Sequence, residues 1–286
     1  MKHVIHKELV TRAVKVLLVG GGGTGSRMLE QLVCLHRAMI AKGHPGGLQV
    51  TLLDDDRVSN ANVGRQAFYP TDVGSYKAIT LINRANMSMG TTRWTATVGR
   101  ISTATAGVCN FDLVIGCVDN RTARLAMLRS LERAGGGIRY YLDLGNRKGD
   151  GQVVLGEVVS GKRKTDDPNR LPHVGELFPE LIDAARDRLE DDTPSCSLAE
   201  ALEKQSLFIN PAVSLFASTL LWQLFTTGEL ENHGAFVNLD NLTVLPLAID
   251  TETWARFGVE RTGMMKKVVQ PSRKHPCKKA TRAKAL

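Results

Sequence analysis

The sequence predicts an α/β fold: a Rossmann-like, mostly parallel sheet with helices on both faces and a C-terminal hairpin. Three observations predict it. Short, β-rich apolar runs alternate with amphipathic stretches through the first half of the chain. A glycine-rich turn, Gly20 to Gly25, stands directly between the first such run and the first amphipathic stretch. The second run ends in three acids, Asp54 to Asp56. Strands that alternate with helices imply right-handed crossovers, and crossovers place helices over both faces of a parallel sheet.

The elements follow in order. Val14 to Val19 (VKVLLV) reads as a strand and Ser26 to Ala41 as the helix after the glycine turn. His44-Pro-Gly-Gly47 is a loop before the second strand, Leu48 to Leu53. A polar segment reaches Tyr69, and Asp72 to Asn86 has helical spacing. Trp94 to Val98 alternates as a third strand, Asp112 to Gly116 is a fourth, Arg121 to Ala134 a helix, and Arg139 to Leu144 a fifth strand. Gln152 to Val159 extends the β pattern. Ser160 to Ser195 is polar and reads as a mobile excursion with one short helix near Pro179 to Leu189, and Leu198 to Lys204 reads as a further helix. Leu207 to Phe225 is the most apolar stretch and reads as a buried helix, with Asn210 as N-cap and Pro211 in its first turn. Phe236 to Leu247 holds two β-like runs around Asp240-Asn241, a hairpin pattern.

Composition bounds the function. The chain has 286 residues, 43% hydrophobic and 23% charged, which suits one globular domain over residues 1–262 with its nucleotide-binding half at about 13–145. The net charge of +8 is local: eight basic residues and no acid lie between Met264 and Leu286, and the remaining body carries 29 basic against 29 acidic residues. Residues 263–286 therefore read as a basic, disordered tail, and any nucleic-acid contact belongs to that tail alone. The apolar stretch is interrupted by Asn210, Pro211 and Gln223, so no membrane span is expected. The opening residues lack an apolar signal segment, and the five cysteines form no C-x-x-C pair. A cytoplasmic protein with free thiols and no zinc is the expectation. The seven histidines have no metal-ligand spacing.

The chemistry-bearing residues cluster after the first two strands. Gly20-Gly-Gly-Gly-Thr-Gly25 satisfies G-x-G-x-x-G, with Gly20, Gly22, Gly23 and Gly25 as candidate phosphate-loop glycines. Glycine lets the backbone turn tightly and approach phosphate, and the helix N-terminus offers unpaired N–H groups to the anion. Asp54 closes the second strand, where an acid reaches ribose hydroxyls; a solvated loop is the alternative reading for the three acids. Then come Asp56, Asn62, Arg65, Gln66 and Lys77, and after the fourth strand Cys117-Val-Asp119-Asn120. Hydride transfer does not need such a set. Transfer of a nucleotidyl group does: cations neutralise a triphosphate, amides orient it, and a carboxylate holds Mg²⁺. Asn120 fits equally well as the cap of the helix that follows.

Over roughly Val14 to Ala134 the sequence resembles the ThiF/MoeB/HesA family, the bacterial relatives of ubiquitin-activating enzymes. The resemblance rests on the glycine loop, L-L-D-D-D with Asp54 and Asp56, N-x-x-R-Q at Asn62 to Gln66, Lys77, and C-x-D-N at Cys117 to Asn120. It implies that Asp54 holds ribose and that Asn62, Arg65 and Lys77 hold phosphates, with Gln66 assisting and Asp119 beside Mg²⁺. It implies adenylation, by ATP, of the C-terminal carboxylate of a small ubiquitin-like carrier of β-grasp fold, and a homodimer. In the C-terminal half, P-S-C-S-L-A-E-A-L, L-F-I-N-P-A and the F-V-N-L to P-L hairpin resemble the PRTRC-system ThiF branch. The chain departs from the family in lacking the paired C-x-x-C zinc ligands and an N-terminal R-x-x-R-Q arm, for which it offers only Arg12 with Lys2 and Lys7.

Cys196, in T-P-S-C-S ahead of the Leu198 helix, is a candidate catalytic thiol: a helix N-terminus favours thiolate, which would take the acyl group from the adenylate as a thioester. A small packing cysteine is the other reading. Cys34 and Cys117 read as core, as do Trp222 and Phe225. Two competing functions share part of this evidence: an NAD(P)-binding Rossmann protein, and a nucleotide-responsive binding module of plasmid maintenance that uses the basic tail.

Overall fold

The computed structural model describes residues 1–103, 105, 107–133, 138–159, 169–189 and 205–260. Cys196, the expected helix at 198–204 and the basic tail lie outside the described residues.

In chain order the elements are β1 (His3–Val4), β2 (Val14–Val19), α1 (Gly23–Ala41), β3 (Leu48–Leu53), α2 (Lys77–Met89), β4 (Thr95–Thr97), β5 (Leu113–Gly116), α3 (Arg121–Arg133), β6 (Ile138–Asn146) and β7 (Asp150–Val159). They continue with α4 (Val174–Leu177), α5 (Ile209–Thr227), β8 (Glu229–Leu230), β9 (Asn232–Asn238), β10 (Thr243–Ala248) and α6 (Thr251–Ala255). The main sheet has eight strands in the order β10-β9-β7-β6-β5-β2-β3-β4. The five from β6 to β4 are parallel, and β7, β9 and β10 continue them antiparallel. β1 and β8 form a separate antiparallel pair.

From β2 the chain moves one way to β3 and β4, then the other way to β5 and β6. With right-handed crossovers this reversal puts α1 and α3 on opposite faces and opens a crevice between the C-terminal ends of β2 and β5. β2 is buried along its length except at Lys15, as a strand covered on both faces must be. α1 buries Met28, Leu29, Leu32, Leu35 and Met39, the helical spacing of a single apolar face. Cys34 lies off that face and is exposed, which corrects its placement in the core. α5 carries no charged residue, buries Ile209, Val213, Ala217, Leu221 and Leu224, and ends at Gly228 with φ +72°. Trp222 and Phe225 are partly buried and pack against the core.

Three expectations need correction. The second helix begins at Lys77 rather than Asp72. Before it, residues 74–76 pair with 57–58 instead: Gly74 N–H donates to Val58 O, Val58 N–H to Ser75 O, and Arg57 bridges Tyr76. Residues 169–189 are not a loose excursion. Arg170 is 3% exposed, with Leu171, Val174 and Leu177 buried beside it. Arg170 donates to Glu157 O and forms a bidentate pair with Glu176. The cation and acid in this polar stretch satisfy one another, so the segment can bury its apolar residues. Finally, Asn210 does not cap α5. The N-cap is Phe208, and the Asn210 side chain points elsewhere.

The C-terminal end is closed by His233 and Trp254, both 0% exposed. His233 Nδ1 lies 2.7 Å from Leu155 O, which only accepts, so Nδ1 carries the proton; Nε2 then accepts from Trp254 Nε1, 2.9 Å away. Both nitrogens are used by the neutral ring.

Gly25→Ala would place a Cβ 1.8 Å from Gly20 O. Overpacking of that kind should cost about 3 kcal/mol in a urea denaturation, and a loss below about 0.5 kcal/mol would show that the turn and α1 can separate. Burial lowers the His233 pKa from 6.5 to about 4. Its folded pKa lies below the unfolded one, so its contribution is intact above pH 6.5 and is lost as the pH falls toward 4. A shift of this size is worth roughly 3 kcal/mol. The wild-type urea midpoint should fall across that window, and the His233→Asn variant should show a shallower slope.

Candidate functional site

A cleft of about 740 Å³ opens where the strand order reverses. The glycine turn forms its floor. Gly20 follows β2 at φ +93°, and a Cβ on it would come 2.6 Å from Cys117 O. Gly22 precedes the first residue of α1 and has open space where a Cβ would be. Gly25 faces back onto Gly20 O rather than into the cleft. The loop thus divides its roles: Gly20 turns, Gly22 leaves room for a ligand, and Gly25 lets α1 sit against the turn.

Asp54 lies beside Gly21. Its Oδ2 accepts from Gly21 N–H at 2.7 Å and its Oδ1 from Asp56 N–H at 2.9 Å. Burial raises the Asp54 pKa above the usual carboxylate value, against the opposing pull of these hydrogen bonds and of the Lys77 charge. Asp56 pairs with Lys77 at 2.9 Å, and Lys77, the first residue of α2, is only 7% exposed. Asp55, also on the cleft, pairs with Arg100. Asn62 is buried and accepts from Ser59 N–H at 2.9 Å, which secures the turn that carries Arg65 and Gln66.

Arg65 donates from Nη1 to Gln205 Oε1 at 2.7 Å. Its Nε, and Gln66 Oε1 beside it, are buried with no hydrogen-bond partner among the described residues. Burial lowers the Arg65 pKa. Four cations line the cleft: Arg57, Arg65, Lys77 and Arg100. Lys77 and Arg100 pair with acids, and Arg57 stacks on Tyr76. Among the described residues, Arg65 alone of the four meets neither a carboxylate nor a ring.

The C-x-D-N residues form the wall after β5. Asp119 is exposed in the cleft, and its Oδ1 accepts from Asn120 Nδ2 at 3.2 Å. Asn120 Oδ1 accepts from Ala123 N–H at 2.8 Å, so Asn120 caps α3 while also lining the cleft. A second cap arrives from far along the chain: Asp187 accepts from the N–H groups of Arg121 and Thr122. Burial opposes the Asp187 charge, but these donors and the Thr122 hydroxyl lower its pKa. Behind the wall Arg124 Nε donates to Asp143 at 3.0 Å, and Arg124 Nη2 donates to Val118 O at 2.9 Å. Tyr141 also donates to Asp143. Burial, with the Asp143 charge behind it, pushes the Cys117 thiol up, so Cys117 is an unreactive wall residue.

The structure therefore brings together Gly20, Gly22, Gly23, Asp54, Asp56, Asn62, Arg65, Gln66, Lys77, Asp119 and Asn120 around one cleft. Gly25 is left out, and Cys196 lies outside the described residues. Among the lining residues that had not been singled out for the site, Thr24, Asn146, Gln205 and Asn210 form one hydrogen-bonded group. Thr24 Oγ1 donates to Asn210 Oδ1, Asn146 Nδ2 donates to both, and Gln205 joins Asn146, Asn210 and Arg65. The amide types of Asn210 and Gln205 were visible, but no motif links them to residues so far upstream. Among the described residues no group of three or more His, Cys, Asp or Glu is placed to hold a metal ion, and no helix is long and apolar enough to cross a membrane. Arg12 is far from this chemistry in the fold: it forms a two-point pair with Asp112 ahead of β5, at the opposite ends of the strands.

Comparison with known proteins adds three results. The sequence profile of the ThiF family matches residues 7–245. No curated protein matches the chain. Among solved structures, E. coli MccB with ATP is similar at a TM-score of 0.52 and 15% identity, over 82% of this chain and 64% of that one. PaaA, as selenomethionine protein, is similar at 0.54 and 13%, over 82% and 64%. E. coli MccB with MccA is similar at 0.51 and 15%, over 82% and 63%. The chain thus spans just under two thirds of the length of these structures, and the likeness is one of fold.

Arg124→Met should cost about 3–5 kcal/mol, because it strands the fully buried Asp143 without a cation. Adding Asp143→Asn should recover most of the loss in chemical denaturation. Losses that simply add would show that the two side chains stand independently.

Proposed function

This chain belongs to the ThiF family, and we propose that it adenylates a carboxylate with ATP. The observation that carries the proposal is the single cleft in which a glycine-lined helix N-terminus, an acid at the end of β3, Lys77, Arg65 and Asp119 converge. In this reading Asp54 takes the ribose hydroxyls, and the N-terminus of α1 receives phosphate together with Asn62, Arg65, Gln66 and Lys77. Lys77 exchanges Asp56 for phosphate oxygen. Asp119 fits Mg²⁺, which commonly takes one or two carboxylates and completes its shell with phosphate and water. When bound there, the ion would screen charge on the phosphates.

The incoming carboxylate attacks the α-phosphorus, and pyrophosphate leaves. The products are an acyl adenylate and pyrophosphate. No residue needs to bond covalently to substrate in this step, and the rate arises from alignment and charge neutralisation. The substrate we infer is the C-terminal carboxylate of a small ubiquitin-like carrier, in keeping with the family and with the resemblance of the C-terminal half to the PRTRC-system branch. Cys196 is the proposed acceptor of the acyl group: its sulfur bonds to the acyl carbon and AMP departs.

ATP–pyrophosphate exchange tests this directly. Exchange should depend on a carrier that ends in an exposed carboxylate and should vanish when its last residue is removed. Arg65→Ala and Lys77→Ala should each lower exchange by about 100-fold or more. Tight NAD binding without ATP binding would instead support a Rossmann redox protein. For the second step, a thiol-cleavable conjugate that persists in Cys196→Ala would remove that cysteine from the mechanism.

A further inference from the structure

We propose that Gln205 and Asn210, together with Arg65, form the subsite for the terminal phosphates of the nucleotide and for the pyrophosphate that leaves. This rests on the adenylation reading and adds residues and a direction to it.

The direction comes from the glycine loop. Its Gly21 N–H is held by Asp54, while a Cβ on Gly23 would come 2.6 Å from Asn210 Nδ2. The two neighbours flank the loop from different elements, β3 and α5. A phosphate chain that starts from a ribose on Asp54 and follows the N-terminus of α1 therefore runs toward Asn210.

The chemistry comes from the orientation of the amides, which one guanidinium decides. Arg65 Nη1 only donates, so the atom facing it at 2.7 Å must be the Gln205 oxygen. Gln205 Nε2 then donates to Asn146 Oδ1 at 2.6 Å. The Asn146 nitrogen in turn donates to Asn210 Oδ1 at 2.8 Å and to Thr24 Oγ1 at 2.9 Å. Asn210 Nδ2 closes the ring on Gln205 Oε1 at 3.0 Å. Among the described residues, the oxygens of Gln205 and Asn210 each accept two hydrogen bonds in this arrangement, while each of their side-chain nitrogens keeps one N–H in reserve. The spare capacity beside Arg65 is that of a donor, matched to an oxyanion. Asn210 is 2% exposed, so the array is built into the wall rather than laid on the surface.

The charge balance agrees. Arg65 is the lining cation without a carboxylate or ring partner among the described residues, and its buried Nε is unpartnered there. A neutral amide at position 205 holds the guanidinium in place without neutralising it. A carboxylate at that position would hold it as well and cancel its charge.

That difference supplies the test, made on the full chain by calorimetric titration with ATP, inorganic pyrophosphate and AMP. Gln205→Glu keeps the length and the contact to Arg65. It should weaken ATP and pyrophosphate about tenfold or more while AMP stays within about twofold, and its melting temperature should not fall. Asn210→Ala should show the same split between ATP and AMP. Unchanged ATP and pyrophosphate affinity in both variants would overturn the subsite and leave the adenylation reading intact, provided wild type still catalyses exchange. Equal losses for ATP and AMP would overturn it too, since the residues would then serve the nucleoside or the fold. A wild type that binds no ATP would overturn both.

Discussion

The contact between Gly25 and the carbonyl of Gly20 is the constraint on which the rest of the molecule depends. It lets the first turn of α1 rest directly on the end of β2. The helix axis is then aimed at the crevice where the strand order reverses, and its unpaired N–H groups open onto the cleft. Gly20 also lies close against Cys117, so the end of β5 and the start of α3 are tied to the same turn. A side chain at either position would push β2, β5 and α1 apart and dissolve the geometry that gathers Asp54, Asp119 and the loop.

Around this apolar framework the protein buries several polar and charged side chains on the cleft side. Asp143, Arg124, Asn210, Gln66, Lys77 and Asn62 are all at most 9% exposed. Such groups are tolerable only when partnered, and most are partnered by residues distant in sequence. Arg124 and Asp143 brace the Cys117–Asp119 wall from behind. Asp187 holds the N-terminus of α3 from a segment that follows β7. The cleft wall is thereby braced by the protein's own contacts, which suits chemistry that works by alignment rather than by covalent participation.

Much of the site could be read from the order of residues because its parts follow strand ends. Gly20, Gly22, Gly23, Asp54, Asp56 and Asp119 lie just beyond β2, β3 or β5, and Asn62, Arg65, Gln66 and Lys77 lie on the connection that leaves β3 for α2, where a parallel sheet delivers side chains to one edge. Asn146 and Gln205 gave no such cue. Each is a single amide in a segment without a motif: Asn146 comes to Thr24 from the end of β6, and Gln205 joins them only because the chain returns to this edge of the sheet ahead of α5. Asn210 carried a misleading cue: ahead of a proline it fits a helix cap, yet Thr24 and Asn146 offer its side chain better-placed partners. The start of α2 and the packing of residues 169–189 were missed for a related reason. Local propensity does not report that 74–76 will pair with 57–58, or that Arg170 will find Glu176 and Glu157.

By itself the sequence determined the parallel α/β framework, the nucleotide-type loop and the family, because hydrophobic period, glycine spacing and strand-end acids are local properties. Tertiary structure decided which polar residues share the cleft. It placed Gly25 behind the loop rather than in it, gave Asn120 a cap to make, took Arg12 away to Asp112, and joined Arg65 to an amide ring drawn from α1, β6, α5 and the residue at 205. Those outcomes turn on which donors and acceptors come within about 3 Å of one another, and that distance is set by packing between elements, which no stretch of sequence contains.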